Sequence, residues 1–99
     1  MRKREVIFAP DAARQFNELR AAERARVKEA IRASLADDDA TVTSRNRFPL
    51  RRPSDRAGFE FRVGELRIFY KVIGTEVRIV LVGRKKGNQL IVDGKRFTL

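Results

Sequence analysis

The sequence contains no cysteine, no histidine and no tryptophan, and it has a single tyrosine. The missing cysteines exclude disulfides, thiolate zinc sites and cysteine nucleophiles. The missing histidines exclude the commonest metal ligand and the usual general base near neutral pH. No apolar run approaches the roughly 20 residues of a membrane-spanning helix, and the start of the chain has too short an apolar part for a secretory signal. We therefore expect a cytoplasmic protein with no metal, no other cofactor and no membrane partner.

Positive charge is what the sequence has in excess. It carries 23 Lys and Arg against 13 Asp and Glu, a formal net charge of +10 over 99 residues. Residues 1–44 have a net charge of only +1, whereas residues 45–99 have +9. A field of this size attracts polyanions such as nucleic acid, an anionic membrane or an acidic protein. We therefore expect the second part of the chain to form the surface that faces a polyanion, and the first part to be scaffold.

The apolar pattern of the first part predicts a helical hairpin after a short strand. Pro10 followed by Asp11 is typical of a helix start, because proline lacks only an N–H that would be unpaired there and the carboxylate meets the positive end of the helix dipole. Two stripes of apolar residues at helical spacing then predict helices over 10–20 and 22–36, with a single bent helix as the alternative. Three aspartates, 37–39, end the second helix.

The second part changes to the two-residue periodicity of β-strands. The run 77–82 is almost wholly apolar, which is typical of a central strand covered on both faces. An Asp93-Gly94 pair between apolar runs predicts a tight hairpin turn. We therefore predict one α+β domain, 1–99, in which a helical hairpin packs on one face of a small antiparallel sheet. Its segments are a strand in 1–9, the helical hairpin 10–36, a basic loop 40–57, a β-meander 58–86 and a C-terminal hairpin 88–99.

Alternation within the meander divides its side chains between two faces. One face is apolar and includes Tyr70, which we expect to be a core residue with a satisfied hydroxyl group. The opposite face suits a phosphate backbone because it is cationic, although an ordinary polar sheet face is the alternative interpretation. Phe69 on that face offers a ring on which a base can stack. The residues predicted for this surface are Glu60, Arg62, Arg67, Phe69, Lys71, Arg84, Lys85 and Lys86, together with Arg51 and Arg52 of the loop.

Such a surface also has groups that RNA cleavage requires. Attack by a ribose 2′-hydroxyl needs removal of a proton, stabilisation of charge on the phosphorane oxygens and protonation of the leaving oxygen. Arginines supply the second without a metal ion. For the first, the candidates are Glu60 or a lysine whose pKa is lowered by neighbouring cations.

The order of elements resembles the RelE/ParE superfamily of bacterial type II toxins, from about residue 4 to 86. The resemblance lies in the helix start Phe8-Ala9-Pro10-Asp11-Ala12, in Arg62-Val63-Gly64-x-x-Arg67-Ile68-x-Tyr70, and in the later Gly83-Arg84-Lys85. It implies a toxin that is neutralised by a cognate antitoxin protein and is either a ribosome-dependent mRNA endonuclease or an inhibitor of DNA gyrase. It further implies that Arg67, with Arg84 or Lys85, is catalytic, and that Arg62 holds a basic position on the preceding strand.

The sequence departs from the nuclease pattern at three places. Gly58 and Glu60 stand where that branch often has two lysines, and Leu90 or Ile91 stands near its late tyrosine or histidine. Our first hypothesis is an endoribonuclease in which Glu60 or a lysine transfers the proton. The alternatives are a gyrase-inhibiting toxin, a relative that only binds its antitoxin or nucleic acid, and a basic nucleic-acid-binding domain unrelated to toxins. The C-terminal hairpin extends beyond the common core and is expected to cover the site or to add an edge strand.

Overall fold

The structure is a computed structural model that describes residues 3–51 and 56–98. Within these ranges the chain forms two α-helices and seven β-strands. They are β1 (Glu5–Phe8), α1 (Pro10–Asn17), α2 (Ala21–Ile31, continued by a π-helical turn Arg32–Ala36), β2 (Arg47–Pro49), β3 (Phe59–Val63), β4 (Leu66–Ile73), β5 (Glu76–Lys86), β6 (Gln89–Val92) and β7 (Lys95–Arg96). Neither helix of the described part has the length and apolarity that crossing a membrane requires.

The helical hairpin predicted from the sequence is confirmed, and a short turn separates its helices. Proline begins α1 as expected. The turn before α2 is fixed locally, because the backbone N–H of Arg20 donates to the Glu23 carboxylate and the Arg24 guanidinium donates to the carbonyl of Leu19. These bonds use polar groups that a helix end leaves unpaired. A single bent helix is therefore excluded.

The sheet has the strand order β2-β3-β4-β5-β6-β7, with antiparallel neighbours throughout. The strand β1 pairs in parallel with the first part of β5, so β1 and β6 share one edge of this long central strand. The predicted α+β fold is thus confirmed with two refinements. One is the parallel β1 strand, and the other is β2, which lies inside the segment predicted as a basic loop, 40–57.

A β-bulge in β5 decides which side chains face the helices. Tyr70 on β4 lies opposite Ile79, but Phe69 lies opposite Leu81, so Val80 is an extra residue. As a result Ile79 and Val82 pack on the helix side of the sheet, whereas Val80 and Leu81 pack on the opposite side. A bulge of this kind resets the alternation of the strand that contains it. Beyond Val80, each side chain of β5 therefore points to the face opposite to the one that strict alternation predicts.

The main core lies between the helices and the sheet. Every residue that alternation predicted to face the helices packs there: Phe59, Phe61, Val63, Ile68, Tyr70 and Val72. Tyr70 is fully buried and its hydroxyl donates to the carbonyl of Ala40 at 2.7 Å, which confirms its prediction as a core tyrosine. Burial raises its pKa to about 12.

A second, smaller core covers the middle of the opposite face. Phe69 and Leu81 are buried there with Ala57 and Val92, and Leu50, Leu90 and Phe97 pack against them. The C-terminal strands form part of this cover, held by an Asp93-Gly94 turn in which both residues have positive φ (55° and 76°). This is the backbone that a type I′ turn requires. The C-terminal hairpin therefore both extends the sheet and covers part of the face predicted to be open.

Arg47 of the predicted basic loop is a structural residue. It is only 4% exposed. Its guanidinium donates to the carbonyls of Ser34 and Val42 at 2.6 and 3.0 Å and to Asp38 at 2.9 Å. This arginine fastens the loop to the end of the second helix, and it does not belong to a polyanion-binding surface.

Candidate nucleic-acid interface

Two arginines meet on the sheet face opposite the helices. Arg62 on β3 and Arg67 on β4 are direct cross-strand partners, and both approach the carboxylate of Glu60. The Oε2 atom of Glu60 lies 2.6 Å from the Nε of Arg62 and 3.8 Å from the Nε of Arg67. The guanidinium of Arg62 also lies over the ring of Phe48, 4.5 Å from its centroid. Sequence alternation placed these three charged residues on one face, and the structure brings them into contact.

Arg67 is the most enclosed cation of this face, and its side chain is 14% exposed. Its Nη1 donates to the carbonyls of Gly64 and Leu66 at 2.7 and 3.0 Å, which fixes the guanidinium against the β3–β4 turn. Burial, with the nearby charge of Arg62, lowers the pKa of Arg67, although an arginine stays protonated at any physiological pH. Nε of Arg67 is the one buried side-chain polar atom of the described residues without a hydrogen-bond partner.

Glu60 and Arg67 line one side of a cleft of about 270 Å³, whereas Arg62 lies beside it and is not part of the lining. Lys85 from the end of β5 completes the charged set, since its side chain is exposed and lines the same cleft. Lys85 makes no ion pair with any residue in 3–51 or 56–98. The full lining is Leu50, Glu60, Arg67, Phe69, Lys85, Asn88, Leu90, Phe97 and Thr98. A guanidinium and an exposed ammonium that line the same cleft are suited to hold a phosphate group.

The prediction of Phe69 as a stacking ring was wrong. Its side chain is only 2% exposed, because Leu81 and the C-terminal segment cover it in the second core. Phe69 forms part of the floor of the cleft, where it supports the charged residues.

Arg84 and Lys86 do not join the cleft either, because the bulge at Val80 turns them to the helix side. Arg84 pairs with Glu23 of α2 at 2.9 Å and with Glu65 at 3.5 Å. The hydrogen bond from Arg84 lowers the pKa of Glu23. Lys86 lines a separate cavity beside α1. Of the basic pair that the family resemblance left open, the structure places Lys85 with Arg67 and gives Arg84 a bracing role between sheet and helix.

The remaining predicted residues lie away from the cleft. Lys71 follows Arg67 by four residues along β4, about 13 Å at the usual rise of a strand, and it pairs across the sheet with Arg78. Arg51 is exposed beyond the end of β2 and is not part of the cleft lining. Arg52 lies outside the described residues.

Sequence reasoning expected the C-terminal hairpin to cover the site or to add an edge strand, but it named none of the hairpin residues that form the other wall of the cleft. Four lining residues come from the C-terminal segment: Asn88, Leu90, Phe97 and Thr98. The signal was present in the sequence, because the Asp93-Gly94 turn predicted a hairpin that had to pair with the end of β5. What the sequence did not show is which face of that hairpin meets Arg67.

Comparison with known proteins finds similarity among solved structures. No family model matches the chain, and the curated proteins contain no match. Among solved structures, the crystal structure of the toxin–antitoxin complex RelBE2 from Mycobacterium tuberculosis contains a similar chain, with a TM-score of 0.70 and 28% sequence identity. The match covers 86% of this chain and 94% of that chain. The structural similarity confirms the resemblance to the RelE/ParE superfamily that the sequence predicts, and the fold of this chain is RelE-like.

Proposed function

We propose that this protein is the toxin of a type II toxin–antitoxin module, and that it binds and cleaves mRNA in the cleft around Arg67. The observation that carries the proposal is that Arg67, Glu60 and Lys85 line the same cleft. The similarity to a chain of a toxin–antitoxin complex supports the toxin assignment. The net charge of +10 supports a polyanionic substrate.

The cleft contains a group for each step of cleavage by the ribose 2′-hydroxyl. Glu60 accepts the proton of the 2′-hydroxyl, whose oxygen then attacks the adjacent phosphorus. Arg67 stabilises the negative charge that develops on the phosphorane oxygens, as pre-positioned cations do in phosphoryl transfer. Lys85 donates a proton to the departing 5′-oxygen as the P–O5′ bond breaks. The products are a 2′,3′-cyclic phosphate and a 5′-hydroxyl, and exchange of protons with solvent restores both side chains.

The partners follow from the same assignment. An mRNA presented by a translating ribosome in the cytoplasm is the proposed substrate, because its codon is held single-stranded and accessible at a fixed place. A cognate antitoxin protein is the proposed inhibitor. The positive field of residues 45–99 would attract both an acidic antitoxin and the ribosome.

The test is primer extension on a reporter mRNA translated in the presence of the purified protein. We expect new 5′ ends with the wild type, and a loss of about 10²- to 10³-fold in cutting with Arg67→Ala, which is typical for removal of one transition-state charge donor. We expect the Glu60→Gln variant to cut the mRNA as poorly as the Arg67→Ala variant. Arg78→Ala is the matched control, because Arg78 is on the same sheet but is paired with Glu76 outside the cleft. Absence of new 5′ ends, or equal cutting by Arg67→Ala, would reject the nuclease.

One observation favours a second function, binding without cleavage. The Oε2 atom of Glu60 accepts a hydrogen bond from the Nε of Arg62 at 2.6 Å, and this bond occupies an oxygen that the nuclease would need for accepting a proton. The second candidate is a toxin that inhibits DNA gyrase, or a relative that only binds its antitoxin or nucleic acid. A gyrase supercoiling assay discriminates, since inhibition of supercoiling without mRNA cleavage would favour this function.

A further inference from the structure

The cleft around Arg67 has two chemically different halves. The central strands contribute the charged half, in which Glu60, Arg67 and Lys85 are grouped. The other half is apolar with a polar rim, formed by Leu50, Leu90 and Phe97 together with Asn88 and Thr98. A phosphate uses only the first half. The second half is complementary to a ligand group that is largely apolar and carries hydrogen-bonding groups at its edges.

The apolar half is held in place by contacts of the C-terminal segment. The backbone N–H of Phe97 donates to the carbonyl of Leu90 at 2.9 Å, and the guanidinium of Arg56 lies 5.4 Å from the centre of the Phe97 ring. At the hairpin turn Asp93 accepts two hydrogen bonds from Arg14, at 2.8 and 3.1 Å. The hairpin is thus tied both to α1 and to its own second strand, so the wall it forms is pre-organised.

The amide of Asn88 adds a means of discrimination. Asn88 is exposed in the turn between β5 and β6 and lines the same cleft as Lys85. An asparagine amide offers both donors and an acceptor, so it can pair with the edge of a nucleobase. The cleft of about 270 Å³ corresponds to about nine water volumes at roughly 30 Å³ each, which is room for one base with its phosphate.

We propose that the apolar half is a subsite for a single unstacked nucleobase adjacent to the phosphate held by Arg67 and Lys85. The base packs against Phe97, Leu90 and Leu50, and Asn88 selects among bases through their edges. Proteins that read single-stranded RNA use aromatic rings and amide groups in this way. This inference rests on the proposed function, because it takes the charged half as the phosphate site. It assigns to the C-terminal hairpin the contact with the base that Phe69 cannot make.

The experiment measures binding of small ligands, so that it does not depend on cleavage. The probes are the four nucleoside 3′-monophosphates, the four 5′-monophosphates, ribose 5-phosphate and inorganic phosphate, titrated into the full chain by calorimetry. We expect at least one nucleotide to bind about tenfold more tightly than ribose 5-phosphate, a ratio within the range of one base-stacking contact. Phe97→Leu, which keeps apolar packing but loses the flat ring, should remove most of that advantage and leave phosphate binding unchanged.

The readout for Asn88 is the order of preference among the four bases. Asn88→Ala should reduce the differences between bases to less than about threefold, whereas Gln89→Ala, its exposed neighbour outside the cleft lining, should leave them unchanged. This pair keeps the test decisive if Phe97→Leu does not fold. Equal affinity for nucleotides and ribose 5-phosphate in the wild type overturns the subsite, and so does equal loss of all ligands in a Phe97→Leu variant that circular dichroism shows to be folded. Base-dependent binding without mRNA cleavage would instead reject the nuclease and retain the subsite.

Discussion

Arg62 and Arg67 lie directly opposite each other on β3 and β4, on the face away from the helices. Like charges in this position repel and destabilise an antiparallel pair. Glu60 compensates part of that repulsion because its carboxylate approaches both guanidinium groups, at 2.6 and 3.8 Å. A bound phosphate would bring further negative charge to the same place. Arg62 and Arg67 are therefore held together at an electrostatic cost that Glu60 offsets only in part.

The first prediction follows from this pair. Arg62→Ala removes the repulsion but also one cation beside the cleft, so we expect little change in the urea midpoint of unfolding and weaker binding of single-stranded RNA at every sequence. The slope of log affinity against log salt concentration should fall by about 1, as for the loss of one phosphate contact. The measurement is fluorescence anisotropy with a labelled oligonucleotide at several salt concentrations. An unchanged slope would show that Arg62 does not contact phosphate.

The adjacent residues Arg84 and Lys85 should separate into different roles. Arg84→Ala breaks the partly buried ion pair to Glu23 that braces β5 against α2. We expect a loss of about 1 kcal/mol in the free energy of unfolding, the upper end of the range for exposed pairs. RNA binding should be unchanged. Lys85→Ala should do the reverse, with normal stability and weaker RNA binding. Urea titration and RNA binding of the two purified variants check this, and a reversed result would contradict the inverted alternation of β5.

Tyr70 offers a test of whether the single tyrosine takes part in chemistry. Tyr70→Phe leaves the buried carbonyl of Ala40 without its hydrogen bond of 2.7 Å, so we expect a loss of about 1–3 kcal/mol in stability. Activity per folded molecule should not change, because the hydroxyl lies in the helix-side core. Toxicity or cleavage, normalised to the folded fraction from circular dichroism, is the measurement. A large loss of activity with normal stability would assign Tyr70 a catalytic role.

Gly83 controls the distance between β5 and the C-terminal hairpin. A Cβ at this position would lie 2.9 Å from Cγ2 of Val92 and 3.0 Å from the carbonyl oxygen of Ile91, and Gly83 is also the cross-strand partner of Arg67. Gly83→Ala should therefore cost about 1–3 kcal/mol in stability, as overpacking does, and weaken nucleotide binding by displacing the hairpin. Gly58→Ala is the control, because a Cβ there meets nothing within 4 Å. Equal thermal stability of the two variants would contradict this close packing.

Acid should destabilise the fold within a defined range of pH. The pKa values of five carboxyl groups are lowered in the folded protein: Glu23, Glu29, Asp38, Asp39 and Asp93. The pKa of Asp39 falls to about 2, mainly through hydrogen bonds from Thr41 and Arg4. Since an unfolded aspartate takes up its proton near pH 4, the unfolded state gains protons first as the pH falls.

We therefore expect the urea midpoint to be constant from about pH 7 down to pH 5 and to fall between about pH 4 and pH 2. Asp39→Asn should lower the midpoint at pH 7, and its further decline on acidification should be smaller than that of the wild type. The same titration of Glu18→Gln provides a comparison at an exposed acidic position on α1. A midpoint in the wild type that is flat down to pH 2 would exclude this contribution.

The local patterns of the sequence were sufficient for much of the fold. Pro10 marked the start of the helical hairpin, alternation assigned Tyr70 to the core, and Asp93-Gly94 predicted the last turn. Each of these features depends on the local backbone preferences of a few residues or on the two-residue period of a strand. The residues involved are close together in the sequence. The cationic character of the second part also required only a count of charges.

The tertiary structure decided which residues line the cleft. The bulge at Val80 exists because β5 pairs with β4 in a shifted register, and this long-range pairing turned Lys85 toward Arg67 and Arg84 toward Glu23. The burial of Phe69, and the wall formed by Phe97, depend on where the C-terminal hairpin packs after that pairing is made. Sequence alone therefore determined the elements and the charge of this protein, because these are local or additive, whereas the register and packing between distant segments determined which charges meet.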